Sequence, residues 1–291
     1  MRNVKPTAPA TCTPPPNRDY TKFLNAAGLK GKRIGVPRAF YYDAVTVPGL
    51  DGPRGGLNDA QRAAMDEAVA VLRAHGSVIV DPADIPSVVD PDPANNLLRW
   101  GICGEERRGA DEGCSIVFKY GMKRDFNAWL ASLGAAAPFK TLTDLRFFNL
   151  SHANDVPRSA IKFGQSLLDI SDEMDLAADK AKYTTDRAKD VALGGAEGID
   201  AALKAARVDA LIFPGGGGAG LAAKPGYPTV IVPFARIPNA PTPAFPAGFN
   251  AKPAPYGVSF TGTACSEPRL IELAYAFEQA TRRRVAPTLF P

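Results

Sequence analysis

Three short patterns in this 291-residue sequence have the residue types and spacing for chemistry. Gly215, Gly217 and Gly220 satisfy G-x-G-x-x-G directly after the apolar run Ala210–Pro214, the spacing that cradles a pyrophosphate when a helix follows. Ser159 and Lys162 form an S-x-x-K pair, the arrangement in which a helical turn sets a serine nucleophile beside its lysine. Gly257-Val258-Ser259-Phe260-Thr261 misses the G-x-S-x-G nucleophile elbow at its last position.

Each pattern makes demands on its surroundings. A dinucleotide site needs a helix after the glycines and an acid about 20 residues on. Pro225 and Pro228 oppose that helix, and no Asp or Glu occurs between Ala210 and Ser266. What remains is a glycine loop, Gly215, Gly216, Gly217 and Gly218, at the carboxyl end of a predicted strand. That is where α/β proteins bind ligands, so these four residues are the substrate-binding candidates. Ser159 and Lys162 lack the accompanying S-D-N and K-T-G elements, with Lys140-Thr141-Leu142 the nearest approach. His75 reads as a helix C-terminal residue and His152 as part of a turn. No complete catalytic constellation is present, and no catalytic residue is assigned.

Cys12, Cys103, Cys114 and Cys265 show no C-x-x-C spacing and lie far from both histidines. They read as reduced thiols in a chain too long to need a disulfide framework, with no metal site and no cofactor expected. The charge of +4 is spread over 34 basic and 30 acidic side chains. The one basic triplet, Arg282–Arg284, ends a predicted helix, so nucleic acid is not an expected partner. There is no apolar N-terminal segment of signal type and no run of 18 apolar residues, so no membrane association is expected and a cytoplasmic location is.

The elements that position these residues follow from periodicity. Residues 1–18 form a Pro/Thr-rich tail expected to be disordered. Gly31–Pro37 predicts a strand. Asn58 with Gln61 predicts a capped helix, with Met65, Ala68, Val69 and Leu72 on its apolar face. Val78–Val80 predicts a second strand, parallel to the first. Helix is predicted from about 95 to 133, from 157 to 189 and from 198 to 206. Strands follow at Ala210–Pro214, Thr229–Pro233 and Gly257–Phe260, and a closing helix at Glu267–Arg283. The fold class is α/β, with a mixed, largely parallel sheet flanked by helices.

Five strings, in order, resemble the amidase signature family. They are Gly31-Lys32-Arg33-Ile34-Gly35-Val36-Pro37-Arg38, the helix Phe118–Leu130, Asp209–Pro214, Ala223–Pro233, and Gly257–Gly262 with Ser266–Thr281. The resemblance covers residues 19–291 and implies part of one α/β domain, the C-terminal half of that fold. The family implies hydrolysis of amide bonds by a Ser–cis-Ser–Lys triad, borne on a GGSSGGS-type segment and a lysine that precede the matched part. This sequence has no Ser-Ser pair and no Gly-Gly-Ser, so no triad residue carries over. The family has Thr at the position of Gly215, and the insertion before Phe118 is a second departure. The implied function is the C-terminal part of an amidase-type C–N hydrolase, inactive alone. Its expected partner is a separately encoded N-terminal half, and a small amide is its substrate only when that half is supplied. The alternatives are a non-catalytic binding or scaffold protein and an acyl-transfer enzyme using Ser159 and Lys162.

Overall fold

Ala210–Pro214 is buried at all five positions, as expected of a strand with strands on both sides and cover on both faces. The computed structural model describes residues 12–155, 158–241 and 243–286. They form two compact units, a helical unit at residues 97–190 and a sheet unit from the residues on either side of it in the sequence.

The sheet unit contains β1 (Arg33–Gly35), β2 (Val45–Thr46), β3 (Pro53–Arg54), α1 (Asp59–Ala74), β4 (Val78–Val80) and α2 (Pro86–Val89). The helical unit contains α3 (Val117–Ser132), α4 (Leu142–Ser151), α5 (Ser166–Asp172) and most of α6 (Lys180–Val191). The sheet unit resumes with a π-helical stretch at Ala192–Ile199, then α7 (Asp200–Ala206), β5 (Ala210–Pro214), α8 (Ala219–Ala223), β6 (Thr229–Ile237), β7 (Ala254–Thr261) and α9 (Glu267–Thr281). The five-stranded sheet has the order β4-β1-β5-β7-β6. Strand β1 runs parallel to β4 and β5, while β7 runs antiparallel to β5 and β6. Four strands therefore point one way and β7 the other, a mixed sheet with mostly parallel strands flanked by helices.

Helix α1 begins where its sequence requires. The Asn58 side chain accepts from the Gln61 N–H, and the Gln61 side chain accepts from the Asn58 N–H. Its buried face is Ala64, Met65, Ala68, Val69 and Leu72. On β6, Val232 and Phe234 are buried while Ile231 and Pro233 are exposed, the alternation of a strand covered on one face. Phe234 and Phe260 meet Phe277 of α9 at ring separations of 5.3 and 5.7 Å. The basic triplet belongs to this packing. Arg283 pairs with Glu67 of α1 and lies over the Phe234 ring at 4.4 Å.

The helical unit combines a small apolar cluster of Cys103, Cys114, Ile116, Tyr120 and Met174 with buried charge. Lys119 pairs with Asp111 and donates to the Glu106 carbonyl at 2.9 Å. Asp190 accepts from the Trp100 indole at 3.0 Å and the Ser115 hydroxyl at 2.8 Å. Asp186 accepts from the Ile116 N–H and from Lys182, each at 3.0 Å. Asp172 accepts from Arg146 and Thr143. Although burial would raise the Asp172 pKa, those partners hold it below the usual aspartate value.

The structure departs from the sequence pattern in several places. The helix expected over 157–189 is a turn at 160–163 followed by α5 and α6, and Pro157 lies outside the described residues. Gly164, at φ +78°, precedes α5, and a turn at Asp175, whose carboxylate accepts from the Ala177 and Ala178 N–H groups, separates α5 from α6. The helix expected from 95 to 133 holds only from Val117. Before that, the Cys103 N–H donates to the Ser115 carbonyl and the Ser115 N–H to the Gly101 carbonyl, each at 2.9 Å, across a loop. A one-turn helix, α8, does form before Pro225, because Pro restricts its own turn and the residue before it, not residues 219–223. The cysteines are not free thiols: Cys12 is bonded to Cys265 and Cys103 to Cys114. Their Cα separations, 5.3 and 5.2 Å, suit disulfides. The first pair is 253 residues apart in sequence, so spacing could not reveal it. Of the 1–18 tail, residues 1–11 lie outside the described residues, and Cys12 is held by its disulfide. Among the described residues no helix is long and apolar enough to cross a membrane.

Candidate functional site

Parallel strands β1, β4 and β5 direct their carboxyl ends to one edge of the sheet, and the start of antiparallel β7 comes to the same edge. Ligands of open α/β sheets bind at such an edge. The glycine loop 215–218 leaves β5 here. Gly215 adopts φ +55°, its N–H donates to the Gly257 carbonyl at 2.9 Å, and its carbonyl accepts from the Ser259 hydroxyl. A Cβ at Gly218 would sit 2.5 Å from the Phe213 ring, so a side chain there cannot be accommodated without displacing the core. Among the described residues, the Gly216 and Gly218 N–H groups donate to no backbone acceptor. The loop can therefore present backbone donors to a ligand.

Tyr41, beyond the β1 end, lies beside it, 3.7 Å from where a Gly217 Cβ would sit. Tyr41 packs edge-on against Phe213 at 4.7 Å. Arg38 forms a two-pronged ion pair with Asp81, at 2.7 and 2.6 Å, and lies 5.4 Å from the Tyr42 ring centre. The Asp81 pair keeps the guanidinium charged, raising its pKa. Tyr42 donates to the Ile212 carbonyl at 2.9 Å. Tyr256 of β7 comes within 3.6 Å of where a Gly215 Cβ would lie. Its hydroxyl is buried without a hydrogen-bond partner among the described residues, and burial pushes its pKa up to about 12. Burial also raises Tyr41 and Tyr42. All three phenols stay protonated near neutrality, so they act as donors, not bases.

The sequence singled out the glycines but not Arg38, Tyr41, Tyr42, Asp81 or Tyr256. Their signal was positional: each follows or begins a strand predicted to share one sheet.

The structure does not bring Ser159 to Lys162. Ser159 lies outside any helix and donates to the Ala153 carbonyl at 2.5 Å, while the Lys162 ammonium sits 5.6 Å from the Phe163 ring centre. Ser259 lies on a buried strand, committed to Gly215. Ser151 and His152 approach to 3.0 Å, but His152 ends α4 and its Nδ1 is 2.8 Å from the Phe148 carbonyl, which makes a helix terminus and not a catalytic couple. Donor atoms of Cys103, Glu106 and Cys114 lie within 4.8 Å of one another, yet both sulfurs are committed to one disulfide. The sheet edge holds no nucleophile–base pair among the described residues.

No protein-family model matches the chain. A probable amidase of Arabidopsis thaliana is 27% identical over 272 residues, covering 94% of this chain and 42% of that protein. The peptide amidase of Stenotrophomonas maltophilia superposes with a TM-score of 0.64 at 31% identity, covering 92% of this chain and 47% of that one. Over nearly all of its length the chain resembles amidases in sequence and in fold, in keeping with the amidase signature resemblance of its five strings. An amidase family protein of Bacillus anthracis, 22% identical with a TM-score of 0.62 over 93% of this chain and 42% of its own, shares the fold. The chain thus spans less than half the length of the amidases it matches.

Proposed function

We propose that this chain is the C-terminal half of an amidase-type amide hydrolase, residues 19–291 being part of one catalytic domain. In this reading it supplies the substrate-binding edge, and the Ser–cis-Ser–Lys triad lies in the half it does not span. One observation carries the proposal: nearly all of the chain matches amidases, and less than half of each amidase is matched. The absence of a Ser-Ser pair from the sequence agrees, as does an edge rich in backbone and phenolic donors that lacks a nucleophile–base pair. In the complete site, the Gly215–Gly218 loop lines the pocket of a small amide. Tyr41 and Tyr256 bound the pocket beside it, and the Arg38–Asp81 pair holds the β1 and β4 ends at a fixed distance. The two disulfides favour an oxidising compartment over the cytoplasm.

The test is reconstitution. The purified chain alone should show no hydrolysis of amide substrates, and hydrolysis should appear when an N-terminal amidase half bearing the serine-rich segment is added. Amide turnover by the chain alone, or none after formation of a stable complex, would refute the reading.

A further inference from the structure

In the helical unit the loop 103–114 closes on itself through the Cys103–Cys114 disulfide, and further ties hold its ends and its middle. The Cys103 N–H donates to the Ser115 carbonyl and the Ser115 N–H to the Gly101 carbonyl. On either side of the loop, the Trp100 indole and the Ser115 hydroxyl both donate to the Asp190 carboxylate. In its middle, the Arg108 N–H donates to Glu173 at 3.0 Å and the Arg108 guanidinium to Asp179 at 2.7 Å. The Glu106 carbonyl and Asp111 hold the buried Lys119 ammonium. None of these ties uses a sulfur. Breaking the disulfide therefore loosens the loop without dispersing its ends, and the two cysteine side chains stay facing each other.

A third donor faces the pair. A Glu106 carboxylate oxygen and the two sulfurs lie within 4.8 Å of one another, and the Glu105 N–H donates to that carboxylate at 3.1 Å. Tetrahedral zinc holds its ligand atoms about 2.0–2.3 Å away, hence about 3.5–4 Å from one another. Cysteines whose Cα atoms are 5.2 Å apart reach that spacing by side-chain rotation. Ile116, Tyr120 and Met174 pack around the sulfurs, while Glu106 is half-buried and gives an ion its access route. Asp111 is committed to Lys119, so the fourth position falls to water. Two thiolates select zinc over magnesium or calcium. We propose that Cys103, Cys114 and Glu106 form a redox-gated zinc site, closed by the disulfide when oxidised and ligating Zn2+ when reduced. The reductant is a dithiol: two electrons and two protons pass from it to the S–S bond, giving two thiols and leaving the dithiol as its own disulfide. Zinc then displaces both thiol protons to solvent. The site lies outside the half-amidase reading and does not depend on it.

The test uses the full chain carrying Cys12→Ser and Cys265→Ser, so that one cysteine pair remains. Cobalt(II), which takes the same donors as zinc, reports thiolate ligation by its sulfur-to-metal charge-transfer absorption. The reduced protein should bind one equivalent with that band, and the oxidised protein none. Adding Cys103→Ser should abolish the band. Adding Glu106→Gln should keep it and weaken binding about tenfold or more, and this half-buried loop position keeps the test decisive if Cys103→Ser fails to fold. Peptides from residues 97–190 that exchange hydrogen faster after reduction should regain protection when Zn2+ is added. Absence of the band from the reduced protein, or equal affinity in the Glu106→Gln variant, would overturn the site. Metal binding that leaves hydrogen exchange unchanged would mark an adventitious thiolate adduct and overturn it equally.

Discussion

In the sheet unit Phe213, Phe234, Phe260 and Phe277 are at most 2% exposed and touch other rings or aliphatic neighbours, whereas the interior of the helical unit holds Lys119 at 0% and Asp186 and Asp190 at 4%. The sheet unit is stabilised by apolar area removed from water, a term that tolerates approximate shape. The helical unit has a smaller apolar cluster and depends on buried charges finding partners, together with a disulfide between residues 11 apart. Buried ion pairs give little net stability relative to apolar replacements, but they penalise the loss of one partner severely. One chain thus holds a robust scaffold and a unit whose order is conditional on charge and redox state.

The largest effects should come from breaking each interior in its own manner. Phe277→Ala removes the ring on which Phe234 and Phe260 meet and should cost about 3–5 kcal/mol, read as faster hydrogen exchange in β6, β7 and α9. Lys119→Ala strands Asp111 and should also cost about 3–5 kcal/mol, with exchange rising in residues 97–190. The double change Lys119→Met with Asp111→Leu should recover most of that loss. Full recovery of Phe277→Ala by a charge pair would contradict the contrast. Next in size, removing the Cys103–Cys114 disulfide as a double serine variant should destabilise the helical unit by about 2–3 kcal/mol and leave peptides from β5 and β7 unaffected.

Two smaller effects sharpen the boundary. Asn58→Ala deletes the capping box of α1 and should cost about 1 kcal/mol, seen as a lower melting temperature for the sheet unit. Asp172 is held below its ordinary pKa of 3.8. It therefore contributes stability that is present above that value and is lost as pH falls through it into the lower folded pKa. An acid titration followed by peptide-resolved exchange should show α4 and α5 opening before β5, and Asp172→Asn should remove that pH dependence.

The same contrast explains what the sequence could show. Strands β1, β4, β5, β6 and β7 were legible because each is a short apolar run bounded by Gly, Pro or Asp, and α1 because Asn58 and Gln61 mark its start. The helical unit was less legible. Lys119, Asp186 and Asp190 look like solvated helix residues in sequence, and only three dimensions bring Asp111, Ser115 and Trp100 to them. The disulfides were invisible for the same reason. At the site, the glycine loop announced itself by composition. Tyr256 and the Arg38–Asp81 pair did not, since strands far apart in sequence bring them to the edge.

On the proposed reading this chain lines the pocket of a small amide once the other half is supplied, and it carries no acyl-transfer nucleophile of its own. A serine-directed fluorophosphonate, incubated with the chain alone and with the added N-terminal half, tests it most directly. Intact mass followed by peptide mapping should find every serine of this chain unmodified and the label confined to the other half. Stoichiometric labelling of a single serine in this chain, Ser159 or Ser259 above all, would contradict the account.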